Sequence, residues 1–408
     1  MPEPRDALGL TFGHEIMLTK DMLPNVQRAL TDAGVDGWLL FDFQGTNPVA
    51  SGVLGLKGLV TRRVFAYIPR EGKPVAITHA IEQGPWREWP ADWGRERYST
   101  WRSLEDAVAA LVRGKRVAME YSPGDAVPYV DRVPAGVIDL VRAAGGDVVP
   151  SAELVTRFYA LWTPDQLKSH ERAAEIVATV GREAIAEAGR RAAAGQPIAE
   201  HELQRWIIER FQRANLEFDH PAIVAAGPNA ADPHYAPSAS RRRTIQRGEL
   251  LLVDLWAREK GGIFADQTWM GAIGAPSTRA VTIWEAVRDA RDAAVAVVRE
   301  RALGSVPIRG ADVDDAARAV ITARGFGQYF THRTGHSIDS IQLHGSGPHI
   351  DNFETREERR LIPGVAFSIE PGIYIAGEIG VRSEVNAHIG ETAVTITPRE
   401  YQRDLIVV

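Results

Sequence analysis

The sequence contains no cysteine among its 408 residues. That absence excludes a disulfide framework, a cysteine nucleophile and a thiolate metal site. No stretch approaches the roughly 20 consecutive apolar residues of a membrane-spanning helix. The first residues, MPEPRDALGLTFGHEI, are charged and lack the apolar core of a signal peptide. These features predict a cytoplasmic protein with no membrane partner.

The chain also has no excess of positive charge, because it contains 47 Lys and Arg residues and 53 Asp and Glu residues, which gives a net charge of −6. This balance gives no reason to expect a nucleic acid as partner. No glycine-rich phosphate loop follows an apolar run, because Gly45-Thr46-Asn47-Pro48 is only a turn signal. The length of the chain predicts one large domain or two ordinary ones.

The first part of the chain alternates short apolar runs with amphipathic segments. Strands are predicted at 38–43, 64–69, 74–79 and 116–121, and helices at 21–34, 103–114 and 134–146. This alternation predicts an α/β domain over residues 1–160 with a partly parallel sheet. Asp42 and Asn47 are predicted to cap a turn rather than to form a site. The tryptophans at 86, 89, 93 and 101 are predicted to cluster by packing.

A helix start marks the second domain. Thr163 and Gln166 form a capping box, and Pro164 takes the first helical position. Further helices are predicted after Pro197, at 283–302 and at 310–325, with β-prone runs between the pairs. The pattern predicts an α+β domain over residues 161–408, in which helices back a curved antiparallel sheet.

Within that domain, five residues have the chemistry of metal ligands: Asp254, Asp266, His336, Glu370 and Glu384. Four carboxylates and one imidazole suit Mn(II), Co(II) or Zn(II). The carboxylates have apolar neighbours, and a buried acid is rarely left unpaired. The set therefore predicts a site for two divalent ions, which together can activate water and a carbonyl. The alternative is a group of ordinary carboxylates at strand ends, paired with arginine or lysine.

The first two acids lie in a predicted β-hairpin. The runs LLLVDLWA and GIFADQTWM flank a turn at Arg258–Gly262. With Lys260 at its centre, Asp254 is predicted to lie directly opposite Asp266. Directly opposed residues share one face of a sheet.

Histidines supply the other chemical groups. His332, His344 and His234 have imidazoles that can donate to an oxyanion or carry a proton to a leaving nitrogen. Taken alone, His234 is predicted to be a loop histidine. One ligand histidine with two or three free ones is a sensible set for a hydrolase.

Four segments together resemble a known family. VDLWAREKGGIFADQT, HRTGHSIDSIQLHG, FSIEPGIYI and GVRSEVN are similar in type, order and separation to the blocks of the pita-bread metallopeptidases. These include Xaa-Pro aminopeptidase, prolidase, methionine aminopeptidase and the metal-free creatinase. VDGWLLFDFQGTNP resembles the creatinase-type N-terminal domain, which methionine aminopeptidases lack. The resemblance therefore implies a creatinase-like α/β domain, a pita-bread α+β domain, a homodimer and the proline-specific branch.

The resemblance also implies the roles of the metal ligands. Asp254 would chelate one ion and His336 would bind the other, with Asp266 and Glu384 bridging the two. Glu370 would be both a ligand and the general acid/base.

Substrate-binding roles are implied for other residues. His332, His344 and His234 would bind substrate and stabilise the tetrahedral intermediate. Arg382 and Tyr374 would line the substrate pocket, with Arg382 able to hold a carboxylate or to orient Glu384. Trp256 and Trp269 depart from the family, which commonly has a glycine and an arginine there. Their rings are expected to narrow the pocket.

The favoured hypothesis is a Mn(II)-dependent dinuclear exopeptidase that acts on small peptides with proline in the second position, as an Xaa-Pro dipeptidase (prolidase). The first alternative is an Xaa-Pro aminopeptidase that acts on longer peptides. Two others are a creatinase-like hydrolase without metal and a non-enzymatic binding protein. Neither of these last two would have a use for five intact ligands.

Overall fold

A computed structural model describes residues 18–339 and 341–408 of the chain. The chain divides into two compact units, Met1–Tyr159 and Ala160–Val408. None of the helices in the described residues is both long enough and apolar enough to cross a membrane.

The first unit is an α/β fold around one mixed sheet. Its strands are β1 (Gly37–Asp42), β2 (Val64–Pro69), β3 (Val75–His79), β4 (Gly94–Tyr98), β5 (Arg116–Met119) and β6 (Asp147–Pro150). Its helices are α1 (Leu23–Asp32), α2 (Pro48–Leu54), α3 (Trp101–Val112), α4 (Ala135–Ala143) and α5 (Ala152–Phe158). The strand order is β4-β3-β2-β1-β5-β6. Strand β1 is antiparallel to β2 and parallel to β5, so the partly parallel sheet is confirmed.

Four elements of this unit were not predicted: α2, α5, β4 and β6. Asn47 begins α2, because its side chain accepts hydrogen bonds from the backbone N–H groups of Val49 and Ala50. Asp42 in turn accepts from the N–H groups of Gly45 and Asn47, at 2.9 and 2.8 Å. The two polar residues thus shape the turn and the helix start that follows it.

The tryptophan cluster contains three of the four predicted members. Trp86 and Trp89 pack edge to face at 5.4 Å, and Trp89 and Trp93 at 4.9 Å. Trp101 is 55% exposed, so its inclusion was wrong. It is the first residue of α3, and the guanidinium of Arg102 lies over its ring.

The second unit contains four helices among its described residues: α6 (Pro164–Ala193), α7 (Glu200–Arg213), α8 (Thr278–Arg301) and α9 (Gly310–Ala323). Its strands are β7 (Leu216–Glu217), β8 (Ile223–Ala226), β9 (Leu250–Glu259), β10 (Ala265–Ala272), β11 (Ala366–Ile369), β12 (Gly372–Ile375), β13 (Ile379–Arg382), β14 (Val385–Ile389), β15 (Val394–Thr397) and β16 (Ile406–Val407). The capping box of Thr163 and Gln166 begins α6.

The hairpin of β9 and β10 separates two hydrophobic cores. Alternate residues such as Val253 and Leu255 pack in the core that contains α6 and α7. Leu252 and Met270 face the other way, into the core that contains α8, α9 and strands β11 to β14. Since side chains alternate across a strand, Asp254 lies on this second, inner face together with Leu252. The second unit therefore has the predicted architecture, with helices backing sheets that face inward.

The register of the hairpin differs from the prediction. Asp254 lies opposite Thr268, and Asp266 lies opposite Trp256. The turn is centred one residue later than predicted, at Gly261, which adopts a left-handed φ of 69°. Because the centre of the turn moves by one residue, the partner of each residue on the opposite strand moves by two positions. The side chains therefore stay on the predicted face of the sheet. Asp254 and Asp266 are thus diagonal neighbours on one face rather than a directly opposed pair.

Candidate metal centre

Five side chains from separate segments converge on the inner face of the second unit: Asp254 of β9, Asp266 of β10, His336 of a loop, Glu370 after β11 and Glu384 before β14. Both glutamates lie at joints between strands. Glu370 and Pro371 separate β11 from β12, while Ser383 and Glu384 separate β13 from β14. At such joints the chain leaves one strand pair and enters another, so the side chains can point into the space between the pairs.

The ligand atoms of this cluster lie close together. One potential donor atom from each of Asp266, His336 and Glu384 lies within 4.8 Å of the others. The Nε2 atom of His336 lies 3.4 Å from a carboxylate oxygen of Asp266 and 3.4 Å from one of Glu370. All of these side chains are buried or nearly so.

Local hydrogen bonds direct the His336 imidazole at the cluster. Its Nδ1 atom lies 3.1 Å from the carbonyl oxygen of Ser337, which fixes the ring so that Nε2 faces the carboxylates. Its backbone N–H donates to the hydroxyl of Ser368 at 2.9 Å. Gly335 permits this approach, because a Cβ atom there would lie 1.9 Å from the carbonyl oxygen of Ser368. An imidazole held by its other nitrogen is the usual arrangement of a metal ligand.

Arg382 places a positively charged guanidinium group next to the cluster of acids. It is 4% exposed, and it donates to Asp254 at 2.5 Å and to the hydroxyl of Thr268 at 2.8 Å. The Thr268 hydroxyl also lies 3.3 Å from Asp254 and 2.9 Å from Glu384. Arg382 and Thr268 thus hold two of the predicted ligands in place. In this position Arg382 faces ligand side chains rather than solvent.

Burial and mutual repulsion dominate the electrostatics of the carboxyl groups. Burial raises the pKa of Asp254 to about 7, against the opposing charge of Arg382. Burial and neighbouring carboxylates raise the pKa values of Asp266 and Glu384 well above their usual range. For Glu370, burial also opposes ionisation, but His336 and Arg382 outweigh it and lower the pKa. Burial lowers the pKa of His336 to about 4, so its imidazole is neutral.

These residues fit divalent cations. The Oδ1 atom of Asp266 and the Oε1 atom of Glu384 are buried and have no hydrogen-bond partner in the described part of the chain. A buried carboxylate oxygen without a partner is costly, and a cation would satisfy it. A neutral imidazole with an open Nε2 and carboxylates that repel one another form a donor set that Mn(II), Co(II) or Zn(II) accepts.

The three predicted non-ligand histidines surround this cluster. The Nε2 atom of His332 lies 2.9 Å from the hydroxyl of Tyr374, which in turn accepts from Arg382 at 3.3 Å. The ring of His344 packs edge to face on His336, with centroids 4.2 Å apart. His336 and burial lower the pKa of His344 to about 3. His234 is exposed.

The two unusual tryptophans lie on opposite faces of the hairpin. Trp269 is buried against α6, where a Cβ atom at Gly181 would lie 2.7 Å from its ring. The expectation that Trp269 narrows the pocket is therefore wrong, because odd-numbered residues of β10 point away from the inner face. Trp256 lies directly opposite Asp266 and is half-buried on the inner face.

Several supporting residues were missed by sequence reasoning. Thr268 links two acids, Ser368 donates to Glu370 at 2.9 Å, and Asn386 exchanges two hydrogen bonds with the backbone of Asp266. Each is a polar residue inside an apolar, β-prone run, as the ligands are. A polar residue in an apolar run is a signal that could have identified them. It would not have identified their partners, because Thr268 contacts Glu384 and Asn386 contacts Asp266 across more than 100 positions of the chain.

Comparison with known proteins decides the family. The model of Metallopeptidase family M24 matches residues 168–391, which is more than half of the chain. The chain belongs to Metallopeptidase family M24. The resemblance to the pita-bread metallopeptidases is thereby confirmed.

Solved structures agree in fold with this M24 chain. Dipeptidase PepE from Mycobacterium ulcerans has a TM-score of 0.72 and 24% identity, with 95% of this chain and 96% of that chain covered. Recombinant prolidase from Thermococcus sibiricus has a TM-score of 0.66 and 25% identity, with coverage of 97% and 100%. The two-part fold, an α/β creatinase-like part and an α+β pita-bread part, is thus shared with these proteins.

Similarity in sequence to a curated relative is more local. The Xaa-Pro dipeptidase of Lactobacillus delbrueckii subsp. lactis is 37% identical over 175 residues, which are 43% of this chain and 44% of that protein. The chain spans about half the length of the curated relatives it matches.

Proposed function

We propose that this protein is a dinuclear metal-dependent exopeptidase that hydrolyses the Xaa-Pro bond, as an Xaa-Pro dipeptidase. The single observation that supports this most is the convergence of Asp254, Asp266, His336, Glu370 and Glu384 around buried carboxylate oxygens that lack partners. Similarity to an Xaa-Pro dipeptidase favours proline in the second position of the substrate. Residues 1–160 would be the creatinase-type domain and residues 161–408 the catalytic domain.

The family resemblance supports the roles proposed for the ligands. Asp254 would hold one ion and His336 the other, with Asp266 and Glu384 shared between the two and Glu370 beside His336. When bound, the ions would polarise the substrate carbonyl and make water nucleophilic at neutral pH. The carboxylate-rich donor set favours Mn(II), with Co(II) and Zn(II) as alternatives.

Proton transfer would fall to Glu370. Its pKa is lowered by His336 and Arg382, so it is ionised and able to accept the proton of the attacking water. It would then pass that proton to the proline nitrogen as the peptide bond breaks. The hydroxyl of Ser368 donates to its Oε1 atom and would keep the carboxylate oriented during both transfers.

The free histidines and Tyr374 would act on the substrate. His344, packed on His336, would donate to the carbonyl oxygen as negative charge develops. His332, whose ring nitrogens face the carbonyl of Arg333 and the hydroxyl of Tyr374, would contact the substrate beside it. His234, at the exposed edge, would bind the substrate backbone. Arg382 would orient Asp254 and Thr268, and contact with the proline carboxylate would be its second role.

The test is release of proline by protein that has been stripped with chelator and reloaded with Mn(II). Ala-Pro and Ala-Pro-Ala are supplied separately, and metal content is measured in the same sample. Hydrolysis of Ala-Pro alone is the expected result. Release of alanine from Ala-Pro-Ala would instead indicate an Xaa-Pro aminopeptidase. Turnover by a protein without metal would contradict the proposed chemistry.

Assembly and location are part of the same proposal. The family resemblance supports a homodimer, and the cysteine-free composition fits a location in the cytoplasm. Sedimentation equilibrium of the full chain tests the first part, and a mass of twice 44.7 kDa is expected.

A further inference from the structure

Three side chains follow one another outward from the metal centre. Trp256 of β9 lies directly opposite Asp266 of β10. On its other side, β7 pairs with β9 so that Glu217 lies opposite Arg258, and this pairing ends at Glu217. In the bend that follows β7, the carboxylate of Asp219 accepts a hydrogen bond from the indole N–H of Trp256. The indole of Trp256 therefore lies between Asp266 and Asp219.

Asp219, at the outer end of this row, is an accessible carboxylate held in a fixed position. The indole N–H of Trp256 donates to its Oδ1 atom at 2.6 Å, while 45% of its side chain is exposed. The Nδ1 atom of His220 lies 3.5 Å from the same oxygen. The carboxylate is therefore fixed beside Trp256 without being one of the predicted metal ligands.

We propose that Trp256 and Asp219 form a specificity site for a positively charged side chain, lysine or arginine, on the first residue of the substrate. This inference rests on the proposed function, which places the carbonyl of that residue at the metal ligands. The apolar stem of a lysine or arginine would lie along the indole ring, and its cation would meet both the ring face and the carboxylate.

The distance from the metal ligands to Asp219 fits the side chain of the first substrate residue better than its α-ammonium group. One strand spacing of about 4.8 Å separates Asp266 from Trp256, and the indole of Trp256 lies between Asp266 and Asp219. The α-ammonium group is attached to the carbon next to the reacting carbonyl, and it stays beside the metal ligands. Only a long side chain extends across Trp256 to reach Asp219.

The first experiment compares kcat/KM for Lys-Pro, norleucyl-proline and Ala-Pro. Norleucine has the four-carbon stem of lysine without its charge. The wild-type protein is expected to prefer Lys-Pro to norleucyl-proline by at least about tenfold, the effect of one charge-assisted contact. Asp219→Asn should bring that ratio close to one and leave Ala-Pro turnover unchanged. Trp256→Phe should lower the ratio less, because a ring remains.

A matched control removes a similar charge elsewhere. Glu209→Gln, on the exposed face of α7 where it pairs with Arg213 at 3.6 Å, should leave the ratio unchanged. An unaltered ratio in Asp219→Asn would overturn the inference. Equal losses on all three dipeptides would assign Asp219 to the α-ammonium group and overturn the side-chain assignment.

Binding without turnover separates this inference from the proposed function. Calorimetric titration of the full chain without added metal, using Lys-Pro and norleucyl-proline, requires no hydrolysis. Tighter binding of Lys-Pro that Asp219→Asn abolishes would support the specificity site even if neither dipeptide were ever cleaved. Equal binding of the two dipeptides would overturn the specificity site, whatever the outcome of the Ala-Pro assay.

Discussion

Individual residues of the metal centre show how local contacts prepare a carboxylate for its task. Asp266 and Glu384 each have a buried oxygen with no partner among residues 18–339 and 341–408, so protons or cations must offset their charge. Glu370 differs, because the His336 and Arg382 side chains favour its ionised form. Asp266 and Glu384 are therefore suited to bind a cation, whereas Glu370 can accept a proton.

Removing the proton acceptor should stop the chemistry. Glu370→Gln keeps the size of the side chain but loses the basic carboxylate. We expect the rate of Ala-Pro hydrolysis to fall by at least about 10²-fold, within the range that general acid–base groups supply. Steady-state kcat at saturating Mn(II) measures the effect, with metal content determined in parallel. Full activity in the variant would refute the role of Glu370.

The Thr268 hydroxyl should matter for metal affinity rather than for chemistry. It lies within hydrogen-bonding distance of Asp254, Glu384 and Arg382. Thr268→Val has nearly the same shape without the hydroxyl, and we expect Mn(II) affinity to fall by about 10- to 100-fold, as for other residues that orient metal ligands. Thr268→Ser serves as the control and should bind as the wild type does. Calorimetric titration with Mn(II) distinguishes the two, and equal affinities would contradict this role.

At the scale of elements, a buried acid, Glu200, holds the loop between β8 and β9 in place. Glu200 of α7 is 1% exposed and accepts hydrogen bonds from the N–H group of Ala226 at 2.7 Å and the hydroxyl of Tyr235 at 2.7 Å. Asn229 donates to it as well, at 3.1 Å. The loop between β8 and β9, which carries His234, is thereby fixed to a helix. Gly380 of β13 permits the packing, since a Cβ atom there would lie 1.7 Å from the carbonyl oxygen of Ala230.

Loss of this anchor should destabilise the protein. Glu200→Ala leaves buried donors without an acceptor, which costs about 1–3 kcal/mol in the free energy of unfolding. Glu200→Gln should cost less, because the amide oxygen still accepts. Urea unfolding followed by circular dichroism measures both, with Glu209→Gln as the surface control. If Glu200→Ala is as stable as that control, the anchor has no energetic role.

At the scale of the whole molecule, metal binding and protonation are linked. The pKa of Asp254 is raised to about 7, and those of Asp266 and Glu384 are raised well above their usual range. Below such a pKa the carboxyl group holds a proton that a cation must displace. Ions bound only by the folded chain also stabilise it. Metal loading, pH and stability are therefore coupled.

The sign of this coupling can be measured. Mn(II) uptake by the stripped protein should release protons, and its affinity should fall as the pH is lowered through about 7. Calorimetry in two buffers of different ionisation enthalpy counts the protons, and the melting temperature in saturating Mn(II) should exceed that in chelator. Uptake without proton release at pH 6 would contradict the raised pKa values. Asp254→Asn provides the comparison, since it has one titratable ligand fewer.

Sequence patterns by themselves determined the two-part architecture, the start of α6 and the identity of the five ligand candidates. These depend on local rules: the capping box at Thr163, the alternation of apolar runs with helices, and acids placed among apolar neighbours. The composition excluded a cysteine-based site. The sequence also predicted that Asp254 and Asp266 share one face of the sheet, although the strand register differs from the prediction.

Tertiary structure alone decided which side chains meet. The centre of the hairpin turn moved to Gly261, because one residue of difference in a loop leaves no strong local signal. Thr268 and Asn386 support ligands more than 100 positions away, and no local pattern encodes such a pairing. The same holds for Trp269 and Trp256, which packing placed on opposite faces of one hairpin. Contacts across the chain depend on how distant strands align, and only the folded molecule fixes that alignment.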